Sequence, residues 1–146
     1  MTGNRIVQIA KIEIGYVEKA GNITKYGEWF GMNGTAWCGI FVSWVYAQAG
    51  KPLGKIDYLK GFAGCQYALR HFHKLGKVVE IPEAGDIYFL LNSKGVPFHT
   101  GIFAAPLAQT GKFEGIEGNT SLASDHNGGS VMARTRAYDK CVFVRL

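Results

Sequence analysis

The spacing of apolar residues changes once along this chain, and that change decides what it can build. Up to about residue 75 they recur every three or four positions. Val7, Ala10, Ile14 and Val17 predict a helix from about Asn4 to Glu18. Cys38, Phe41, Val45 and Ala49 predict a second, from about Cys38 to Ala49, ended by Gly50 and Pro52. Phe62, Cys65, Leu69 and Phe72 predict a third, from about Gly61 to Leu75, with Gly76 as its stop. Residues 19–36 are rich in Gly, Asn, Thr and aromatics and read as a long ordered loop. After the turn signal Pro82-Glu-Ala-Gly-Asp86, short apolar runs predict strands at 87–91, 99–104, 112–118, 131–136 and 141–145. Helices followed by an antiparallel meander predict an α+β fold, with the helices on one face of a sheet of five to six strands. With 146 residues and no linker or repeat, the chain reads as a single domain, 1–146.

Several function classes are disfavoured. The uncharged run from Phe30 to Gly50 is broken by Asn33, Thr35, Ser43 and Gln48, so no membrane insertion is expected. The opening residues, MTGNRI, lack the basic-then-apolar plan of a secretory signal. That fits a protein made in a cytoplasm, or a domain of something larger. The net charge of +5 is spread out, with no run of three basic residues, so nucleic acid is not an expected partner. A diffuse positive field does favour approach to polyanions such as a cell envelope. The three cysteines, Cys38, Cys65 and Cys141, show no CxxC or zinc-finger spacing. No disulfide framework or structural metal is expected.

Cys38 differs from the other two. It follows a glycine-rich loop and opens an apolar helix. A free thiol with pKa about 8.5 is little ionised at neutral pH, and a helix N-terminus and a nearby imidazolium both lower that value. The first-turn N–H groups can also stabilise an oxyanion, and Gly39 leaves room beside the sulfur. Cys65, read as lying mid-helix on an apolar stripe, and Cys141, at the start of the last strand, read as core thiols. Of the four histidines, His71 and His73 point to different sides of a solvated helix end, and His126 lies in a Gly- and Asn-rich loop. His99 enters a strand and is the candidate base. Glu117 and Asn119, two apart on a later strand, share a face and offer partners for the second imidazole nitrogen. The order Cys, His, polar partner is that of Cys-His-Asn sites.

The blocks Trp37-Cys38-Gly-Ile-Phe-Val-Ser-Trp44, Pro82-x-x-Gly85-Asp86-Ile87, His99-x-Gly101-Ile102 and Glu117-Gly-Asn119-Thr-Ser121 resemble, in order, the CHAP domain (cysteine, histidine-dependent amidohydrolase/peptidase). The NlpC/P60 hydrolases are similar in outline. The resemblance runs from about residue 5 to 146. It implies a papain-like fold, Cys38 as nucleophile, His99 as base and then acid, Glu117 as the carboxylate orienting the imidazole, and Asn119 as a further polar partner. It implies peptidoglycan as substrate, cut between N-acetylmuramic acid and L-alanine or within the stem or cross-bridge peptide. The segment Lys25-Tyr-Gly-Glu-Trp-Phe-Gly31 resembles phage endolysins and tail-associated lysins, which are made in the host cytoplasm or built into larger phage proteins and work with other domains or subunits. Tyr26, Trp29, Phe30 and Trp37 are the expected lining of the substrate groove. Some family members bind calcium through an aspartate-rich loop before the cysteine. Gly21-Asn-Ile-Thr-Lys-Tyr26 holds no carboxylate, so no cofactor is expected. The competing expectation is a non-catalytic structural or wall-binding phage module that keeps the fold.

Overall fold

The computed structural model of the chain describes residues 2–124 and 127–146. Four helices precede the sheet: α1 (Thr2–Ile12), α2 (Lys25–Phe30), α3 (Cys38–Gln48) and α4 (Cys65–Lys74). The strands are β1 (Val78–Val79), β2 (Ile87–Leu91), β3 (Pro97–Pro106), β4 (Lys112–Thr120), β5 (Ser130–Ala137) and β6 (Cys141–Val144). They form one antiparallel sheet in the order β1-β6-β2-β3-β4-β5. The fold is α+β, and the five strands expected from the sequence are present with β1 added at one edge. Among the described residues, no helix is long and apolar enough to cross a membrane.

Strand alternation sorts the core into two layers. Ile87, Phe89, Ile102, Ile116 and Val144 face the helices and join Ile40, Phe41, Val45 and Phe72 in the main core. Tyr88, Leu90, Phe103, Phe113 and Phe143 form a smaller aromatic cluster on the opposite face. α3 is buried along almost its whole length, which places its first residue, Cys38, deep against the sheet.

Three local expectations are corrected. The first helix ends at Ile12, not near Glu18. Gly15 takes a left-handed φ of +100°, and the chain then pairs with the sheet: Gly15 N–H donates to Val131, Val131 N–H to Tyr16, and Glu18 N–H to Gly129. Long-range backbone bonds thus override the helical period, and Val17 is left 67% exposed. The segment expected to be a loop contains α2, capped by Thr24 Oγ1 accepting from Gly27 N–H at 2.9 Å and stopped by Gly31 in the left-handed region. The helix expected from Gly61 starts at Cys65, because Asp57 holds the Ala63 and Gly64 amides in the preceding turn.

Candidate active site

The nucleophile candidate opens α3. Its neighbour Trp37 provides no side-chain cap for the first turn of α3. Gly39 serves packing and not substrate access: a Cβ there would meet the Phe62 ring at 2.7 Å. Cys38 is 4% exposed.

His99 comes from β3, opposite Leu90 of β2, and is fully buried. Its Nε2–H donates to Glu117 Oε1 at 2.8 Å. Ile102 of β3 lies opposite Ile116 of β4, which brings Glu117 beside Gly101 and within reach of His99. The other ring nitrogen, Nδ1, is buried and meets no group with full hydrogen-bond geometry. It is the nitrogen left for the sulfur, which interacts with the imidazole closely enough to bias the ionisation of both. Such looseness is common in unliganded catalytic pairs.

Glu117 is the best-held group of the site. Besides His99, it accepts from Tyr88 Oη, from Arg136 Nε at 2.7 Å and from Arg136 Nη2 at 2.6 Å. The guanidinium thus grips both carboxylate oxygens, a strong and directional pairing. Neither Tyr88 nor Arg136 was singled out from the sequence. The signal for Tyr88 lies in two glycines on neighbouring strands: a Cβ at Gly101 or Gly115 would come within 2.5 or 2.2 Å of the Tyr88 hydroxyl oxygen. Both strands are kept bare so that the ring can lie across them.

The charges follow from this geometry. The Cys65 thiol, acting as donor, contributes most to holding the Cys38 thiol well below the ordinary range; burial opposes this, and His99 and the Thr100 N–H reinforce it. Burial alone would discharge His99, but the Cys38 and Glu117 charges and hydrogen bonds outweigh it and raise the imidazole to about 9. Glu117 is likewise opposed by burial, and its bonds to His99 and Arg136 hold it down to about 2. These directions favour an ion-paired cluster, with Cys38 drawn toward the thiolate beside the His99 imidazolium, and the Glu117 carboxylate held by His99 and the Arg136 guanidinium.

Cys65 is thus not the inert mid-helix thiol expected. It is the first residue of α4, and donating to Cys38, together with burial, pushes its own pKa well up and keeps it protonated. Cys65→Ala should raise the pH at which Cys38 becomes reactive, measured by mass spectrometry of iodoacetamide labelling at Cys38 across pH. An unchanged profile would remove Cys65 from the activation of the nucleophile.

Asn119 does not take the expected place. Its φ is +55° and the register shifts between Glu117 and Thr120, so the simple two-residue alternation is lost. Glu117 occupies the imidazole Nε2, while the Asn119 Oδ1 accepts from Gly129 N–H at 3.2 Å and ties the end of β4 to the start of β5. Three of the four expected groove aromatics are core residues. Tyr26 and Trp37 stack at 5.5 Å, their polar atoms donate to Glu13 and Glu18, and Phe30 is buried on the same side of α2 as Tyr26. Trp29 alone is partly open, with Lys60 Nζ 5.0 Å from its ring centre. His126 lies outside the described residues. Among the described residues, no group of three or more His, Cys, Asp or Glu is arranged to hold a metal ion.

No family model matches the chain. No curated protein matches it either. Five chains among solved structures do. One is the crystal structure of Ly7917, 14% identical, with a TM-score of 0.56 over 99% of this chain. The match covers 62% of that chain, so the present chain spans less than two thirds of its length. At this identity the likeness is one of fold alone.

Proposed function

We propose that this chain is a cysteine hydrolase cutting amide bonds of bacterial peptidoglycan. One observation carries the reading: a helix-opening thiol, its pKa driven down so that the thiolate is favoured, adjoins an imidazole whose far nitrogen is held by a buried carboxylate. Activated nucleophile, base and orienting group are the three parts that covalent acyl transfer needs. The four sequence blocks resembling CHAP and NlpC/P60 hydrolases support the finer reading of the fold as papain-like and of the substrate as cell wall.

The reaction runs in two steps. The Cys38 sulfur adds to the scissile carbonyl carbon, and the oxyanion is met by first-turn N–H groups of α3. The C–N bond breaks as His99 gives its Nδ1 proton to the leaving amine, and a thioester remains. Water, losing a proton to His99, then attacks the thioester and releases a carboxylic acid and the Cys38 thiolate, which restores the thiolate–imidazolium pair. The bond is the N-acetylmuramoyl–L-alanine amide or one in the stem or cross-bridge peptide, as a phage lysin would cut. Mass spectrometry of digested, purified cell wall should show new amine and carboxyl termini in equal number.

The pH profile tests the charge state. The protonated imidazole is needed as acid, and its pKa is raised, so activity should hold through neutrality and fall as His99 loses its proton at about 9. An alkaline limb at the ordinary histidine value, near 6.5, would contradict the ion pair.

A second reading, a non-catalytic structural or wall-binding phage module, is favoured by one observation: Cys38 is 4% and His99 0% exposed. It predicts wall binding with no new termini, so the same digest decides between the two.

A further inference from the structure

Beside the thiol and imidazole lies a cleft of about 450 Å³, within the size range of small-molecule and peptide sites. Its inner walls are Cys65, which interacts with the nucleophile, and Phe98, which precedes the base. One side is the outward face of α4, with Gln66, Tyr67 and Arg70; the other is the β2–β3 hairpin, with Asn92, Val96 and Pro97. The cleft continues along the same two elements past Leu69, His73 and Lys74. This is where a chain emerging from the reacting centre would lie, in place of the buried aromatics of α2.

The chemistry of the cleft is specific. Arg70 is exposed, its guanidinium 6.0 Å from the Tyr67 ring centre, and among the described residues it has no ion-pair or hydrogen-bond partner. His73 and Lys74, one turn on, are exposed and equally without acidic partners among the described residues. Asp57, an acid close to the start of α4, is engaged by the Ala63 and Gly64 amides. Asn92 Oδ1 accepts from Lys94 and Val96 N–H, which leaves its NH₂ free to donate toward a carbonyl in the cleft. Val96, Pro97 and Leu69 supply an apolar wall. A cation over an aromatic ring, beside amide donors and short of counter-charge, suits the planar, bidentate demand of a carboxylate.

Resting on the hydrolase reading, we infer that this cleft binds the peptide side of the substrate and that Arg70 holds a free peptide carboxylate there, so that acidic peptides are selected over amidated ones. The test uses a synthetic wall-stem tetrapeptide with its carboxylates free and the same peptide with them amidated. Each is titrated into Cys38→Ala protein and into Cys38→Ala/Arg70→Gln protein, followed by amide NMR shifts. The free-acid peptide should shift Gln66, Arg70 and Val96 and bind about tenfold more weakly once Arg70 is replaced, while the amidated peptide should bind both proteins alike. Equal binding of the two peptides, no binding by Cys38→Ala protein, shifts centred elsewhere, or no effect of Arg70→Gln would each overturn the inference. Peptide binding of this pattern without wall cleavage by the unmutated protein would sink the hydrolase reading alone. Cleavage without charge discrimination would sink the subsite alone.

Discussion

Cys38→Ser protein should fold as the unmutated chain does and lose wall cleavage by about 10⁴-fold or more, the order expected when the nucleophile of a covalent mechanism is removed. The change is small in volume, and a hydroxyl can still meet the Thr100 N–H that favours the sulfur. What it cannot do is ionise. The site's donors and its imidazolium stabilise an anion that serine will not form near neutrality, so the fold survives while the reaction stops. Amine release from purified wall, read beside the melting temperature, separates the two effects. Retention of a tenth or more of the activity would exclude Cys38 as nucleophile.

The largest effect on stability should come from Glu117→Ala. The carboxylate is fully buried and satisfies His99, Tyr88 and both faces of the Arg136 fork. Removing it takes the acceptor from the buried His99 and Tyr88 groups and the bidentate carboxylate from Arg136, a change that costs about 3–5 kcal/mol, or roughly 10 °C in melting temperature for a domain of this size. The sign with pH is definite. Glu117 is held down from an ordinary 4.5 to about 2, so its stabilisation is present above about 4.5 and is lost as pH falls toward 2. A loss under about 1 kcal/mol in the single variant would mean that the cluster is not desolvated as described.

Cys38, His99 and Glu117 were legible in the sequence because each carries a local signal: a glycine loop before an apolar helix, a histidine entering a strand, a carboxylate two residues from an amide. The supporting groups were not, because their role exists only across strands. Tyr88 reaches Glu117 by lying over Gly101 and Gly115, and Arg136 arrives from β5; nothing in the spacing of either residue marks it. Cys65 was misplaced because the periodicity of Phe62, Cys65, Leu69 and Phe72 continues upstream of the true start of α4. Tyr26, Phe30 and Trp37 show the opposite error. They lie near Cys38 along the chain but not in a groove: α2 turns the Tyr26 and Phe30 rings into the core, and Trp37, just before α3, stacks on Tyr26 there. Asn119 failed through backbone geometry, since its positive φ breaks the alternation on which its expected role depended.

The influences that ionise Cys38 come from α4, from β3 and, through His99, from β4. None is near it along the chain. In the unfolded polypeptide this sulfur is an ordinary thiol that stays protonated at neutral pH. On the hydrolase reading proposed above, its attacking power is therefore conferred by tertiary assembly: a half-made molecule carries the cysteine but no weapon until α4 and the sheet have closed around the sulfur.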